Sequence, residues 1–355
     1  MEPSTKVRIA IIGAGLIGPR HAQAVIKCEK AELVAFVDPA ETGTQTAASF
    51  GVAHFQSVAD LLQSSHAPEA AIICTPNHTH VALTRELSAA GVHVLVEKPI
   101  SADIATGKEL LRYLDAAKVK VLVGHHRRFN PYVIAAKQIV AAGTLGRVIG
   151  VNGLWALYKP PQYFDPPTEW RRGQTGGVVL INMVHEVDIL HYLFGPIVSV
   201  HAEKVASQRD FEAEEGAAII LRFRSAVIGS FFVCDNVPSP WNFEAGTGEN
   251  PTIPQSGQDF YRIFGSEASL SVPDMSVWSY KEAEKSWNSE LVTERAKVSQ
   301  GVPFELQINH FCKVVRGEED PSCTAQAGLA ALIACQAIKE AMENSTTVEL
   351  ETYLL

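Results

Sequence analysis

The sequence predicts an α/β protein in which a doubly wound parallel sheet is followed by a second α/β domain with a mostly antiparallel sheet. Three observations carry this expectation. Between residues 7 and 123, continuous apolar runs of strand length alternate with helical spacing, the pattern of parallel strands buried on both faces and joined by helices. After about residue 125 the pattern changes to alternating strands at hairpin-length spacing. The chain has 355 residues, more than one core ordinarily serves. Two domains are therefore expected, residues 1–125 and 126–355, with room for the last helices to pack back on the first.

The first apolar run, residues 7–12, leads at once into Gly13-Ala14-Gly15-Leu16-Ile17-Gly18. Helical spacing over 21–30 and a second apolar strand, 33–37, follow and end in Asp38. The glycines let the backbone turn tightly and approach a pyrophosphate, and a helix N-terminus supplies free N–H groups and a positive dipole. Asp38, 20 residues after Gly18, suits a carboxylate that accepts hydrogen bonds from a ribose diol. A glycine turn built only for helix packing would leave that acid unexplained. No Lys or Arg occurs between Ala31 and Thr84 to hold a 2′-phosphate, and the Asp38 carboxylate would repel one. The expected cofactor is NAD rather than NADP.

The strand–helix units continue. Residues 58–63 begin a short helix; 70–74 form a strand that ends in the turn Thr75-Pro76-Asn77-His78-Thr79-His80; 84–90 are helical. The strand 92–96 runs into Glu97-Lys98-Pro99, and the helix 102–118 leads to a strand, 119–123, that ends in Gly124-His125-His126-Arg127-Arg128-Phe129. Three successive strands thus end in polar, charged or ring-bearing turns, and open parallel sheets bind ligands outside the carboxyl ends of their strands. A strand that delivers Lys98 to that edge and then stops at a proline is hard to explain by packing alone. His78 and His80 have no carboxylate or cysteine cluster beside them, so capping and cofactor contact suit them better than a metal, and no metal site is expected. Strand alternation turns one of His125 and His126 away from any pocket. Cys74 reads as a small apolar residue near the nicotinamide.

In the second half, a helix over 132–142 precedes a strand, 148–156, a proline-rich loop, 158–167, and Trp170-Arg171-Arg172. Gly176-Gly177 opens a helix over 178–194, and strands follow at 198–205, 217–223 and 226–234. The loop 235–258, with Trp241, Asn242 and Phe243, is long for a compact domain, as functional or mobile loops are. Trp241 and Phe243 suit closing over a substrate and burial between subunits equally. A hairpin over 260–272, an undecided polar stretch, 282–299, amphipathic helices over 303–316 and 325–344, and a last strand at 348–350 complete the chain.

Composition excludes several classes. The net charge is −9 and no block of Lys or Arg suggests nucleic-acid binding. No apolar run approaches the ~20 residues that span a membrane, and the polar residues before the first strand contain no signal-peptide core. Six scattered cysteines without a CxxC pair argue against zinc and disulfides and fit a cytoplasmic protein.

Taken together, Gly13–Gly18 with Asp38, Thr75–His80, Glu97-Lys98-Pro99, Gly124–Phe129, the helix with Gly176-Gly177, His185 and Asp188, and Pro303–Phe311 resemble the Gfo/Idh/MocA oxidoreductases over nearly the whole chain. The resemblance implies an N-terminal Rossmann domain, with Gly13, Gly15, Leu16, Ile17, Gly18, Asp38, Cys74, Thr75, Pro76, Asn77, His80, Glu97, Lys98 and Arg127 around the cofactor. It also implies a C-terminal α/β domain with a large open sheet that forms homodimers or homotetramers. Lys98 would hydrogen-bond the reacting oxygen and His185 would be the general base. Arg127, His126, Trp170, Arg171, Asn182 and Trp241 would meet the substrate. Many relatives place an aspartate four residues before the histidine; here that position is Ile181, and Asn182 lies three before. An asparagine binds a hydroxyl but takes no proton, so His185 would act with Lys98 alone or with Asp188 orienting it.

The chemistry expected is hydride transfer between a secondary alcohol of a sugar, inositol or related polyol and NAD, with an imidazole base near its working pH and a lysine polarising the oxygen. Two other readings share the same fold. One uses NAD transiently within a turnover, in elimination or glycoside cleavage. The other is a non-catalytic NAD-binding regulator, which would be expected to lack Lys98 or His185.

Overall fold

Apolar runs that alternate with amphipathic ones build a six-stranded parallel sheet and a separate nine-stranded one in the computed structural model of the chain, which describes residues 6–282 and 284–350. The chain divides into two compact units, residues 1–129 with 301–332, and residues 130–300 with 333–355.

In the first unit the elements are β1 (Val7–Ile12), α1 (Gly18–Lys27), β2 (Ala31–Val37), α2 (Glu41–Phe50), β3 (Ala53–Phe55), α3 (Val58–Gln63), β4 (Ala70–Ile73), α4 (His80–Ala89), β5 (His93–Val96), α5 (Ile104–Leu114) and β6 (Val121–Val123). The strands lie in the order β3-β2-β1-β4-β5-β6, every neighbouring pair parallel. Ile9, Ile11, Ile72 and Leu95 are fully buried, as the continuous apolar runs require. Helix α1 starts at Gly18 rather than at residue 21, because Pro19 fits a first turn that needs no N–H. Helix α5 starts at Ile104, where the Asp103 side chain accepts from the Thr106 N–H and caps it.

In the second unit α6 (Pro131–Ala141) precedes β7 (Val148–Ala156). A π-helical turn, Val179–Met183, leads into α7 (Val184–Phe194), followed by β8 (Ile197–Lys204), β9 (Gly216–Phe223) and β10 (Ile228–Cys234). The loop after β10 contains α8 (Phe243–Thr247), then come β11 (Tyr261–Gly265), β12 (Ala268–Val272), β13 (Ser276–Tyr280) and β14 (Leu291–Arg295). The order is β14-β13-β12-β11-β7-β10-β9-β8-β15, where β15 is Thr347–Glu349, and only β7 and β10 pair in parallel. Alternation in β9 buries one face and exposes Ala218, Ile220 and Arg222 on the other. The polar stretch 282–299 contains β14, an edge strand that pairs with β13.

Of the two late helices, α9 (Pro303–Val315) belongs to the first unit, where Phe304, Ile308, Phe311 and Cys312 join the core of β1, β2 and α1. The division between the units falls within α10 (Ala325–Asn344).

Candidate active site

The parallel sheet brings four strand ends to one edge in the first unit. The Gly13 N–H donates to Val37 O after β1, Cys74 N–H to Ile12 O after β4, Glu97 N–H to Ile73 O after β5, and Gly124 N–H to Val96 O after β6. The glycine turn, residues 74–80, Glu97-Lys98 and residues 125–129 therefore share that edge.

The glycine turn fits a dinucleotide. Gly13 has φ +99°, and a Cβ there would lie 2.9 Å from the Cys74 carbonyl. A Cβ on Gly18 would meet Gly13 O at 2.2 Å, whereas one on Gly15 would meet nothing within 4 Å. Gly13 and Gly18 close the turn and Gly15 leaves space beside it. No side chain caps α1, and Leu16 is 89% exposed beside Ile17, so the helix's first amides face no competing group of their own chain. Asp38 also serves the turn: one carboxylate oxygen accepts from Ala14 N–H and the other from Ala40 N–H, both at 2.8 Å. The residues present thus fit a bound NAD.

Beside the turn, the Thr75 and Thr79 hydroxyls meet at 2.6 Å, and the Thr79 hydroxyl also donates to Pro76 O, while Asn77 opens a short 3-10 helix into α4. The His80 ring is buried, its nitrogens 2.8 Å from Pro99 O and Thr75 O, and it ties this turn to the Lys98-Pro99 turn. The Lys98–Pro99 peptide is cis.

Glu97 is the most perturbed group of the edge. Burial alone would raise its carboxyl, but the His21 hydrogen bond and the charges of His21, His126 and Lys98 outweigh that and bring it down from 4.5 to about 2. His21 Nε2 lies 2.7 Å from Glu97 Oε1, and a Cβ on Gly124 would come within 2.9 Å of the same oxygen. Glu97 is therefore an anion clamped between α1 and β6, and its other oxygen accepts from the Lys98 N–H at 3.3 Å. Burial first, and then Glu97, push the Cys74 thiol well up, so it stays protonated. His126 stacks on Phe304 at 4.6 Å, while His125, Arg127 and Arg128 are buried and Arg128 donates to Ser322 O.

In the second unit the helix carrying His185 is set by two glycines. A Cβ on Gly176 would lie 2.3 Å from Arg171 Cα, and one on Gly177 would lie 2.0 Å from the Glu214 carboxyl. The approach at Gly177 lets Glu214 accept from Val179 N–H at 3.0 Å and satisfy the start of the helix. The π turn follows, a local widening common at functional sites. It carries Asn182, half-buried, three residues ahead of the buried His185 and six ahead of the buried Asp188.

The sequence reading missed a buried cluster in this unit. Lys159, 6% exposed, lies 2.7 Å from Asn182 Oδ1 and 3.0 Å from Asp235 Oδ2. Burial lowers the lysine's pKa, and Asp235 pulls it partly back. Its ammonium is 4.8 Å from the Tyr163 ring centroid, and the Arg171 guanidinium stacks on that ring at 3.9 Å. Arg209 pairs with both Asp235 and Glu215. One signal was available: Lys159-Pro160 follows the end of β7 much as Lys98-Pro99 follows β5. Trp170 and Trp241 are about half exposed, at 53% and 47%, whereas Phe243 is a core residue packed on Phe260.

Comparison with known proteins agrees with this architecture. The profile of an oxidoreductase family, NAD-binding Rossmann fold, matches residues 7–125, and that family's C-terminal alpha/beta domain matches residues 137–350. An inositol 2-dehydrogenase of Rhizobium meliloti is 30% identical over 189 residues, 53% of this chain and 55% of that one, so the match spans about half the relative's length. A myo-inositol 2-dehydrogenase of Thermotoga maritima is 26% identical over 97% of this chain and 99% of its own. The structure of scyllo-inositol dehydrogenase from Lactobacillus casei with NAD(H) and scyllo-inositol superposes with a TM-score of 0.75 at 20% identity, covering 97% of this chain and 99% of that one. Among the described residues, no helix is long and apolar enough to cross a membrane.

Proposed function

The chain belongs to the Gfo/Idh/MocA family of oxidoreductases and carries its NAD-binding Rossmann domain, and from that premise we propose that it is an NAD-dependent dehydrogenase of a sugar, inositol or related polyol. The observation that carries the reading is the parallel-sheet edge, where the glycine turn after β1 and the clamped Glu97 and Lys98 after β5 stand on either side of β4. The first unit takes the cofactor.

Bound NAD supplies the hydride acceptor. The amides of the glycine turn and α1 hold its pyrophosphate, and Asp38 accepts from its ribose while repelling a 2′-phosphate. Cys74, Thr75, Pro76, Asn77 and Arg127 line its nicotinamide half. Lys98 donates to the reacting oxygen and stabilises the negative charge that develops there. His185 takes the hydroxyl proton, and Asp188 orients it. His126, Trp170, Arg171, Asn182 and Trp241 hold the remaining substrate groups. A second copy of the chain docks on the open sheet, whose register gathers Ile220, Ile228, Phe264, Trp278 and Leu291, all exposed, on one face.

The test is NADH formation from a panel of sugars and inositols by the wild type and Lys98→Ala. The variant is expected to lose about 10²–10³-fold in kcat, the scale for one charge-stabilising donor, with NADH binding retained. Near-normal turnover by the variant would remove Lys98 from its role. NADH retained through a single turnover would favour transient use of the cofactor.

A further inference from the structure

The Lys159 cluster fixes the hydrogen-bonding sense of Asn182. Paired with the Asp235 carboxylate, Lys159 is an ammonium, with three donors and no acceptor. Only the amide oxygen of Asn182 can face it, which agrees with the 2.7 Å contact at Oδ1. The Asn182 NH2 is thereby turned the other way, and it has no hydrogen-bond partner among the described residues. An asparagine that could rotate would serve a hydroxyl or a carbonyl equally. This one is held as a donor.

The charges nearby point the same way. Lys159 and Arg209 are matched by Asp235 and Glu215. Among the described residues Arg171 has no acidic partner: it donates from Nη1 to the Tyr163 carbonyl, stacks on the Tyr163 ring, and keeps a buried Nε without a partner. Tyr163 is the shared wall, with the Lys159 ammonium and the Arg171 guanidinium both against its ring. A fixed amide donor tied through Lys159 to the Tyr163 ring, and an uncompensated guanidinium stacked on that ring, suit an anionic oxygen better than a neutral hydroxyl.

We propose that Lys159 is a positioning residue that holds Asn182 as a donor, and that Asn182 and Arg171 together receive the carboxylate of a sugar acid, an aldonate or a uronate. The inference rests on the dehydrogenase reading above and narrows its substrate class. The alcohol oxidised is then a hydroxyl of a hydroxy acid, with His185 three residues beyond the anchoring amide.

The experiment compares acids with matched neutral compounds: D-gluconate against D-glucitol, and D-glucuronate against D-glucose. Binding is read from the fluorescence of enzyme-bound NADH, and turnover from NADH formation with NAD. The wild type should bind at least one acid more tightly than its neutral partner. Asn182→Asp keeps the Lys159 contact but presents no donor and adds a negative charge. It should cut the acid-over-neutral preference at least about tenfold, the loss of one hydrogen bond to a charged group. Arg171→Met should do the same. Lys159→Met should reduce the preference mainly through KM, and Lys159→Arg, which still donates to Asn182, should recover part of it. If Lys159→Met fails to fold by circular dichroism, Asn182→Asp decides the matter. Equal binding of acids and neutral partners, or an unchanged preference in Asn182→Asp, overturns the inference. Oxidation of neutral polyols with indifference to acids overturns it while leaving the proposed function standing. No NAD-dependent oxidation of either kind overturns both.

Discussion

Lys98-Pro99 follows β5 in the first unit, and Lys159-Pro160 follows β7 in the second. Both lysines leave a strand end and are checked by a proline, yet their surroundings differ. Lys98 is half-buried, and its neighbour Glu97 is the group that the fold immobilises, through His21 and Gly124. Lys159 is itself immobilised, between Asp235, Asn182 and the Tyr163 ring. In the first arrangement the protein places its contacts on the anion beside the lysine. In the second it spends them on the ammonium, which becomes part of the framework. The same dipeptide can thus stand beside a fixture or become one, and the neighbours decide which.

Substitutions sharpen that contrast, and the largest effect falls on the fixture. Asp235→Ala leaves the buried Lys159 and the partly buried Arg209 without their shared carboxylate and should cost about 3–5 kcal/mol, the range for breaking a buried pair, read from urea unfolding. Asp235→Ala as stable as wild type would show that Lys159 is not fixed by charge.

The next effect is at Glu97. Its folded pKa, about 2, lies below the usual 4.5, so its contribution to stability is present above pH 4.5 and is lost as the pH falls toward 2. Glu97→Gln should be less stable at pH 7, by roughly 1.5–3 kcal/mol for a hydrogen bond to a charged group. Its urea midpoint should also fall less than that of the wild type between pH 7 and pH 3. Parallel pH profiles for the two proteins would contradict the clamped anion.

Gly177→Ala drives a methyl against the Glu214 carboxyl and should cost about 1–3 kcal/mol, read from urea unfolding, by disturbing the start of the helix that carries His185. Smallest in stability is Ile220→Lys on the open sheet. It should leave each chain within about 0.5 kcal/mol of the wild type but reduce association measured by sedimentation. An unchanged sedimentation coefficient would contradict docking of a second copy through this face.

These cases also show what the residues could tell in advance. The parallel strands were legible because burial on both faces leaves an unbroken apolar run, and the turns after β1, β4, β5 and β6 were legible because their residues have little packing value. Helix α2, Glu41–Phe50, was not recognised because its sequence is largely Thr, Gln and small residues, with too weak an apolar stripe. The π turn at Val179–Met183 was hidden, since one widened turn leaves the apolar spacing nearly intact. The polar edge strand β14 satisfies its backbone without an apolar face. Lys159 escaped notice because its partner Asp235 is 76 residues away and nothing in a proline-rich loop announces the pairing. Likewise Asp38 was readable as an acid at the end of β2, but its grip on the Ala14 amide was not.

That grip has a consequence for how such a protein could diverge. The carboxylate proposed to choose between cofactors also braces the loop that would cradle either one. Replacing Asp38 with a small neutral residue to admit a 2′-phosphate would free the Ala14 and Ala40 amides at the same moment. A lineage or an engineer changing cofactor preference here would need a second substitution to re-anchor the loop. Preference and loop geometry are inherited as one trait.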